Sequence, residues 1–299
     1  MTRKFVYFIN PVSGTGKKTG LAELIRKKTA EQHIPFEILP TDPGGNYNNL
    51  KKKIRVEGIT DIIVCGGDGT VNRLACALQG ADINIGIIPV GSGNGLALAA
   101  GIPVKTAKAL EVIFKGKTVY IDSFSINGIF SCMLSGLGFD AQVAHDFALQ
   151  KKRGLLRYIK LSLKHFFYAK PFPFGLSVDG KEFNTEAFFV SIANSNQYGN
   201  NFTIAPRASM QDGLLDIIVV NKMSKLRMLW TVLMQIRYGQ VRLYEDKKYH
   251  RTGIHYFQAS ALRIRNPGIA PLHIDGDPGT SAPVYDIGII EKAFRLIIP

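Results

Sequence analysis

Cysteine is scarce in this chain: Cys65, Cys76 and Cys132 are the only three in 299 residues. Their number and apolar surroundings argue against a disulfide framework, and without a Cys-x-x-Cys pair or a Cys/His cluster there is no zinc signature. A reducing cytoplasm is the expected compartment. Long apolar runs are missing as well. No window reaches the ~18 apolar residues that a bilayer-spanning helix needs, and Leu229 to Ile236, the richest late stretch, is flanked by Arg227 and Arg237. The start has a basic pair and a short apolar run before Asn10-Pro11, which fails as a signal peptide. A membrane, if one matters, is met from its surface. Acidic residues are the third shortage, since 23 Asp and Glu against 37 Lys and Arg leave a net charge of +14. Such a surface suits nucleic acid, an anionic bilayer or plain solubility. The Lys and Arg residues are dispersed and no zinc-finger, KH or RRM signature is present, so no nucleic-acid partner is expected.

What is abundant is core material. The chain is 46% hydrophobic, enough for two medium domains. Through the first 122 residues, short apolar strands alternate with helical periodicity: strands at Lys4 to Ile9, Phe36 to Pro40, Asp61 to Cys65 and Asn84 to Pro89, helices at Lys18 to Gln32, Tyr47 to Glu57, Val71 to Leu78, Asn94 to Ala100 and Val104 to Lys115. This rhythm predicts a doubly wound, mostly parallel α/β sheet covered on both faces. From Val119 onward β-like runs dominate, among them Phe130 to Leu137, Lys181 to Ile192, Gly213 to Val220, Tyr256 to Ile264 and Leu272 to Ile274. They predict an antiparallel β-sandwich over residues 123–285, with 286–299 free to return to the first domain.

Two glycine turns follow apolar strands and precede helices. Gly66-Gly67-Asp68-Gly69-Thr70 is the more informative, because a strand, a glycine turn and a helix start aim bare N–H groups and the helix dipole at one point. That is an anion site, and a carboxylate within it calls for a cation such as Mg²⁺ between it and a phosphate. An ordinary βα turn draws on the same Asp-Gly chemistry. Pro89-Val90-Gly91-Ser92-Gly93-Asn94-Gly95 supplies a second such turn. Gly14 to Thr19 fails as a Walker loop because Pro11 stands where a glycine is needed. Read as a dinucleotide fingerprint, Gly14, Gly16 and Gly20 with Glu37 have the third glycine displaced by one.

Basic residues interleave with Leu, Phe, Tyr and Trp230 in two stretches, Lys151 to Lys170 and Lys222 to Arg251. Such a mixture suits the boundary between water and lipid, and equally an amphipathic surface helix packed on a core.

Asn10-Pro11-x-Ser13-Gly14, Gly66 to Thr70, Pro89 to Asn94 and Asp275-Gly276-Asp277 occur in the order and spacing of the diacylglycerol kinase catalytic superfamily, which the chain resembles over essentially its full length. The superfamily includes soluble bacterial lipid kinases, sphingosine kinases and ceramide kinases. The Gly-Gly-Asp-Gly-Thr element is shared with NAD kinases and, loosely, phosphofructokinases, whereas the Asn-Pro start and the late Asp-Gly-acid element favour the lipid branch. The resemblance implies that Asn10, Pro11, Val12, Ser13, Gly14, Thr41, Gly66, Gly67, Asp68, Gly69, Thr70, Val71, Asn72 and Ser92 surround ATP, with Asp68 beside its phosphates and metal. It implies a base for the lipid hydroxyl among Asp275, Asp277 and Asp68, and leaves the choice open. It also implies a structural Mg²⁺ held by Asp212 with the carbonyls of Ser209 and Leu214, where a plain turn is the competing account. Gly95 stands where bacterial diacylglycerol kinases usually carry Asp, Ser92 replaces a common Thr, and Asp277 replaces Glu.

The expected protein is an ATP- and Mg²⁺-dependent lipid kinase of phospholipid metabolism, cytoplasmic and peripheral to an anionic membrane, acting on a diacylglycerol-like or sphingoid acceptor; a homodimer is allowed. The rival expectations are a NAD kinase and a non-catalytic nucleotide or lipid sensor.

Overall fold

The computed structural model describes residues 2–13, 20–150, 155–199, 202–203, 205–227 and 253–299. The chain divides into two compact units, Met1–Asp122 with Lys292–Pro299, and Ser123–Glu291.

The first unit contains β1 (Phe5–Ile9), α1 (Leu21–Ala30), β2 (Phe36–Pro40), α2 (Leu50–Glu57), β3 (Asp61–Gly66), α3 (Asp68–Leu78), β4 (Asn84–Pro89), α4 (Gly95–Ala99), α5 (Thr106–Lys115) and the start of β5 (Lys117–Ile126). Strands β2, β1, β3 and β4 lie side by side in that order and pair in parallel. Every residue of β3 is buried. That burial explains the unbroken Ile62-Ile63-Val64-Cys65 run: a parallel strand covered on both faces has no polar side to alternate with. Each fully buried Ile or Val contributes about 1.5–3 kcal/mol relative to an exposed position. The one carboxylate in β3, Asp61, is buried at the strand's amino end, where Arg3 grips both oxygens (2.6 and 3.2 Å) and Thr60 and Asn84 complete its shell. Complete pairing of this kind is what makes a buried charge tolerable.

The second unit holds β6 (Ile129–Ser131), β7 (Leu134–Gly138), α6 (Phe139–Ala148), α7 (Leu155–Tyr168), β8 (Phe172–Val178), β9 (Lys181–Ala193), β10 (Gln197–Gly199), β11 (Phe202–Thr203), β12 (Leu215–Asn221), β13 (Ile254–Ala259), β14 (Ala261–Arg265), β15 (Leu272–Ile274), β16 (Asp277–Gly279) and the start of β17 (Val284–Ile298). Its pairings are antiparallel. Long β9 pairs with β8 through its first half and with β7 and β12 through its second, so one strand joins two groups of strands around a core of Phe124, Val190, Ile192, Leu215, Ile217 and Ile264. β17 begins here against β14 and ends in the first unit, where Arg295 and Leu296 pair in parallel with Asn84 and Ile85 of β4.

The mixed parallel and antiparallel architecture agrees with the sequence expectation, while several boundaries move for physical reasons. The expected strand Phe130 to Leu137 splits at Cys132-Met133, whose amides turn away to serve a side chain described below. Tyr256 to Ile264 splits at Ser260, because β13 pairs with β12 whereas β14 pairs with β8 and β17. Helix α3 begins at Asp68 itself, earlier than its apolar periodicity suggests, and α6 was not expected at all.

Candidate active site

The carboxyl ends of the parallel strands carry the candidate residues of the first unit. Ile9 pairs with both Pro40 and Cys65, and Gly66 pairs with Pro89, so the residues that leave β1 to β4 start at one level. The strand order reverses direction between β1 and β3, and ligands of open α/β sheets bind at such a switch point. Asn10 and the Gly66 turn sit on either side of it. The Asn10 Nδ2 donates to Thr70 Oγ1 (2.7 Å), while its backbone N–H donates to the Cys65 carbonyl and its Oδ1 accepts from the Val12 N–H. The Thr41 N–H donates to the Ile9 carbonyl, which ties the end of β2 to the same edge. Pro11 and Val12 are exposed above it. Gly14 lies outside the described residues.

The glycines of the first turn are there for space. Gly67 has an extended backbone (φ −101°), so no left-handed conformation requires it. A methyl on Gly66 would lie 2.6 Å from Thr70 Cβ, and one on Gly91 would overlap Gly67 Cα. The two glycine turns are therefore packed backbone against backbone. Asn94 holds the second turn closed by exchanging two hydrogen bonds with the Gly91 main chain, 2.8 and 3.0 Å. Asp68, the first residue of α3, accepts the Leu96 N–H on Oδ1 (3.3 Å) and so joins the turns. One donor expected to face a ligand thus faces Asp68 instead. Gly69, Asn72 and Ser92 are partly exposed around this carboxylate, whereas the Val71 side chain points into the core.

The late acidic pair belongs to a tight hairpin of the second unit. Ile274 pairs with Asp277, leaving Asp275 and Gly276 as the two central residues, both with positive φ (49° and 84°). That is the type I′ geometry for which Asp-Gly is preferred. The two carboxylates have different surroundings. Asp275 Oδ1 accepts from Ser131 Oγ (2.8 Å) and the N–H groups of Met133 (3.1 Å) and Leu134 (3.0 Å), and Oδ2 accepts from the Cys132 N–H (3.1 Å) and thiol. A carboxylate offers about four lone-pair sites, and these donors use them. Asp277 is exposed.

The loop ahead of β12 carries the remaining candidates. Asp212 is exposed and its Oδ1 accepts the Leu214 N–H (3.2 Å), while Ser209 Oγ accepts the Gln211 N–H. Just beyond, Asp216 is buried, and burial pushes its carboxyl up to about 7, with the Asp212 charge adding to the rise and Gln258 and Arg207 opposing it. Neither Asp216 oxygen has a well-formed hydrogen bond among the described residues, nor do Ser191 Oγ and Tyr256 Oη on the same sheet face. Sequence reading missed Asp216 because its strand otherwise reads as plain core. No cluster of three or more His, Cys, Asp or Glu side chains able to hold a metal occurs among the described residues.

Helix α7 buries Phe166 against Phe188 and leaves Leu163, Phe167 and Tyr168 exposed, together with Lys160 and Lys164. The Lys225 ammonium donates to the Phe167 carbonyl, which brings exposed Leu226 close to this helix end. Lys151, Lys152, Arg153, Trp230 and the rest of 228–252 lie outside the described residues. No helix among those described is long and apolar enough to cross a membrane.

Comparison with known proteins gives this arrangement its class. A diacylglycerol kinase catalytic domain model matches residues 4–126, and a YegS C-terminal NAD kinase beta sandwich-like domain model matches residues 134–298. An uncharacterized protein of Synechocystis is 32% identical, with 97% of this chain and 69% of that protein covered. A diacylglycerol kinase of Mycobacterium tuberculosis is 28% identical over 99% of this chain and 95% of its own length, and one of Bacillus subtilis is 26% identical over 92% and 89%. A crystal structure of a diacylglycerol kinase from Bacillus anthracis shares the fold, with a TM-score of 0.77 at 24% identity, 99% of this chain and 97% of that one being covered. Fold and relatives together define a lipid kinase. The chain belongs to the diacylglycerol kinase family, in the branch whose C-terminal half is the YegS-type β-sandwich.

Proposed function

We propose that this lipid kinase uses ATP and Mg²⁺ to phosphorylate a hydroxyl of a diacylglycerol-like or sphingoid lipid at the surface of an anionic membrane, on the cytoplasmic side, as a step of phospholipid metabolism. The observation that carries the reading is the strand switch point, where Asn10, Thr70 and the two interlocked glycine turns frame Asp68 at the start of α3. The first N–H groups of a helix have no partner within it and favour an anion. ATP phosphates suit that place, with Asn10 to Gly14, Thr41, Gly66 to Thr70, Asn72 and Ser92 around the nucleotide and Val71 acting through the core. A cation beside Asp68 supplies charge neutralisation to the phosphates.

In the reaction the lipid oxygen bonds to the γ-phosphorus, the bond from that phosphorus to the bridging oxygen breaks, ADP leaves, and the hydroxyl proton goes to a carboxylate. We assign that carboxylate to Asp277, because it is exposed while the oxygens of Asp275 are taken by backbone donors. Asp275 then serves as the clamp that fixes the hairpin. Asp68 holds the phosphate side. A second cation suits the 209–214 loop: Asp212 offers an exposed carboxylate, the carbonyls of Ser209 and Leu214 stand on the same loop, and the buried carboxylate of Asp216 follows two residues after Leu214. Membrane docking is supported by the exposed Leu163, Phe167, Tyr168 and Leu226 interleaved with Lys160, Lys164, Lys170, Lys225 and Arg227. Each such cation is worth about 1 kcal/mol at an anionic surface.

The test is a panel assay with γ-labelled ATP and mixed micelles that contain diacylglycerol, sphingosine or ceramide. Label in the organic phase with at least one acceptor is expected. Labelling of NAD instead would contradict the reading.

A further inference from the structure

The buried pair Asp140 and His273 has no part in the site as described so far, although His273 lies on β15 of the Asp275 hairpin. Both are almost fully enclosed. His273 sits on β15, two residues before Asp275, with its partner Gly136 on β7 and Pro278 on β16 across the ladder. Its Nδ1 accepts the Gly276 N–H (3.3 Å), and its Nε2 lies 3.3 Å from Asp140 Oδ2. A ring nitrogen that accepts a main-chain N–H cannot carry the ring proton, so the proton is on Nε2 and is donated to Asp140. Asp140 is fixed in turn at the start of α6, where its Oδ1 accepts the Ala141 N–H (2.8 Å). Gly136 leaves room for the contact: a methyl there would overlap the Asp140 carboxylate and stand 2.8 Å from His273 Nε2.

The amide that His273 holds is the peptide between Asp275 and Gly276, the middle of the type I′ turn. Asp275 pins one side of that turn to the 131–134 segment. From these contacts we infer that Asp140 and His273 are positioning residues for catalysis, and that they fix the turn peptide so that Asp277 presents its carboxylate at one place to the acceptor hydroxyl. This inference rests on the assignment of Asp277 as proton acceptor. A buried acid and imidazole are a costly way to fill a core position that an apolar side chain would fill, and the linear relay from α6 to the turn gives them something to do.

Two substitutions separate the halves of the relay. In His273→Asn the amide oxygen stands near the place of Nδ1 and can still accept the Gly276 N–H. His273→Gln reaches toward Asp140 and leaves the Gly276 N–H without its acceptor. Both lose similar packing, so a purely structural role predicts equal melting temperatures and equal turnover. Positioning predicts that His273→Gln loses kcat by about 10- to 100-fold, the scale on which small misplacement acts, that His273→Asn keeps most of it, and that KM for ATP moves less than about twofold. Rescue by Asn alone is the distinguishing result. The wild-type protein gives an independent reading that needs no variant to fold: long-range ¹H–¹⁵N NMR should show the His273 ring protonated on Nε2 and not on Nδ1. An Nδ1–H tautomer, or equal kcat in the two variants, would overturn the inference. If Asp277→Asn retains full turnover, the failure lies in the assignment of the proton acceptor; if Asp277→Asn is inactive while His273→Gln matches wild type, it lies in the relay.

Discussion

Gly66→Ala is the sharpest probe of the nucleotide side. The added methyl would lie 2.6 Å from Thr70 Cβ, 2.8 Å from Thr70 Oγ1 and 2.9 Å from Thr70 Cγ2. Carbon atoms rest about 3.5–4.0 Å apart, so Thr70 or the turn must yield by roughly 1 Å. Thr70 has little freedom, being β-branched, buried and in the first turn of α3. Its Oγ1 accepts the 2.7 Å bond from Asn10, and a shift of ~1 Å carries that bond beyond hydrogen-bonding distance. Overpacking of this kind costs about 1–3 kcal/mol, which lowers a melting temperature by several degrees. Misplacement by ~1 Å at a reacting centre costs about a hundredfold in rate. We therefore expect kcat/KM for ATP to fall by about that factor in a protein that still melts cooperatively, measured by labelled-phosphate transfer and by thermal denaturation. Gly288→Ala is the control, since nothing lies within 4 Å of a methyl there. A Gly66→Ala enzyme within threefold of wild type would refute the claim that the Asn10–Thr70 contact organises the site.

Asp68→Asn should lower turnover by at least about a hundredfold with little change in melting, because it removes charge and keeps size. Asp275→Asn should lower the melting temperature, since an amide nitrogen would face N–H donors, whereas Asp277→Asn should abolish transfer and leave melting unchanged; the reverse pattern would exchange their roles. Asp212→Ala should cancel any rise in melting temperature produced by Mg²⁺, and an identical response in both proteins would make the 209–214 loop a plain turn. Asp216 provides the pH dependence: its carboxyl rises from 3.8 unfolded to about 7 folded, so between those values the folded state holds the extra proton and stability falls as pH rises. In EDTA, Asp216→Asn should therefore raise the melting temperature more at pH 8 than at pH 5, and an equal gain at both would refute this.

The inner strands of the first unit were legible because a buried parallel strand is a nearly unbroken apolar run, as in Asp61–Gly66 and Asn84–Pro89, whereas the half-buried edge strand Phe36–Pro40 was marked by Phe36, Ile38 and Leu39 alternating around Glu37. The start of α3 was not, since the Gly-Asp-Gly that opens it lacks the helical apolar periodicity that begins only at Val71. The break at Cys132-Met133 was invisible for a different reason. Its cause is the carboxylate of Asp275, more than 140 residues away, which draws three successive amides out of the ladder. Distance also hid the Asp140–His273 pair, whose members lie 133 residues apart. The one local sign was Gly136-Leu137-Gly138 at the end of β7, where glycine makes room for a polar contact. Motif residues could be named in advance, but their division of labour depended on which backbone groups surround each carboxylate.

The central claim, transfer of a phosphoryl group from ATP to a lipid hydroxyl, is tested most directly by following both products of one reaction. With ATP, Mg²⁺ and mixed micelles of short-chain diacylglycerol or sphingosine, ³¹P NMR should show ADP and a lipid phosphomonoester appearing in equal amounts, and neither with Asp277→Asn. ADP formed without a lipid phosphomonoester, or no turnover with any lipid alcohol, would contradict it.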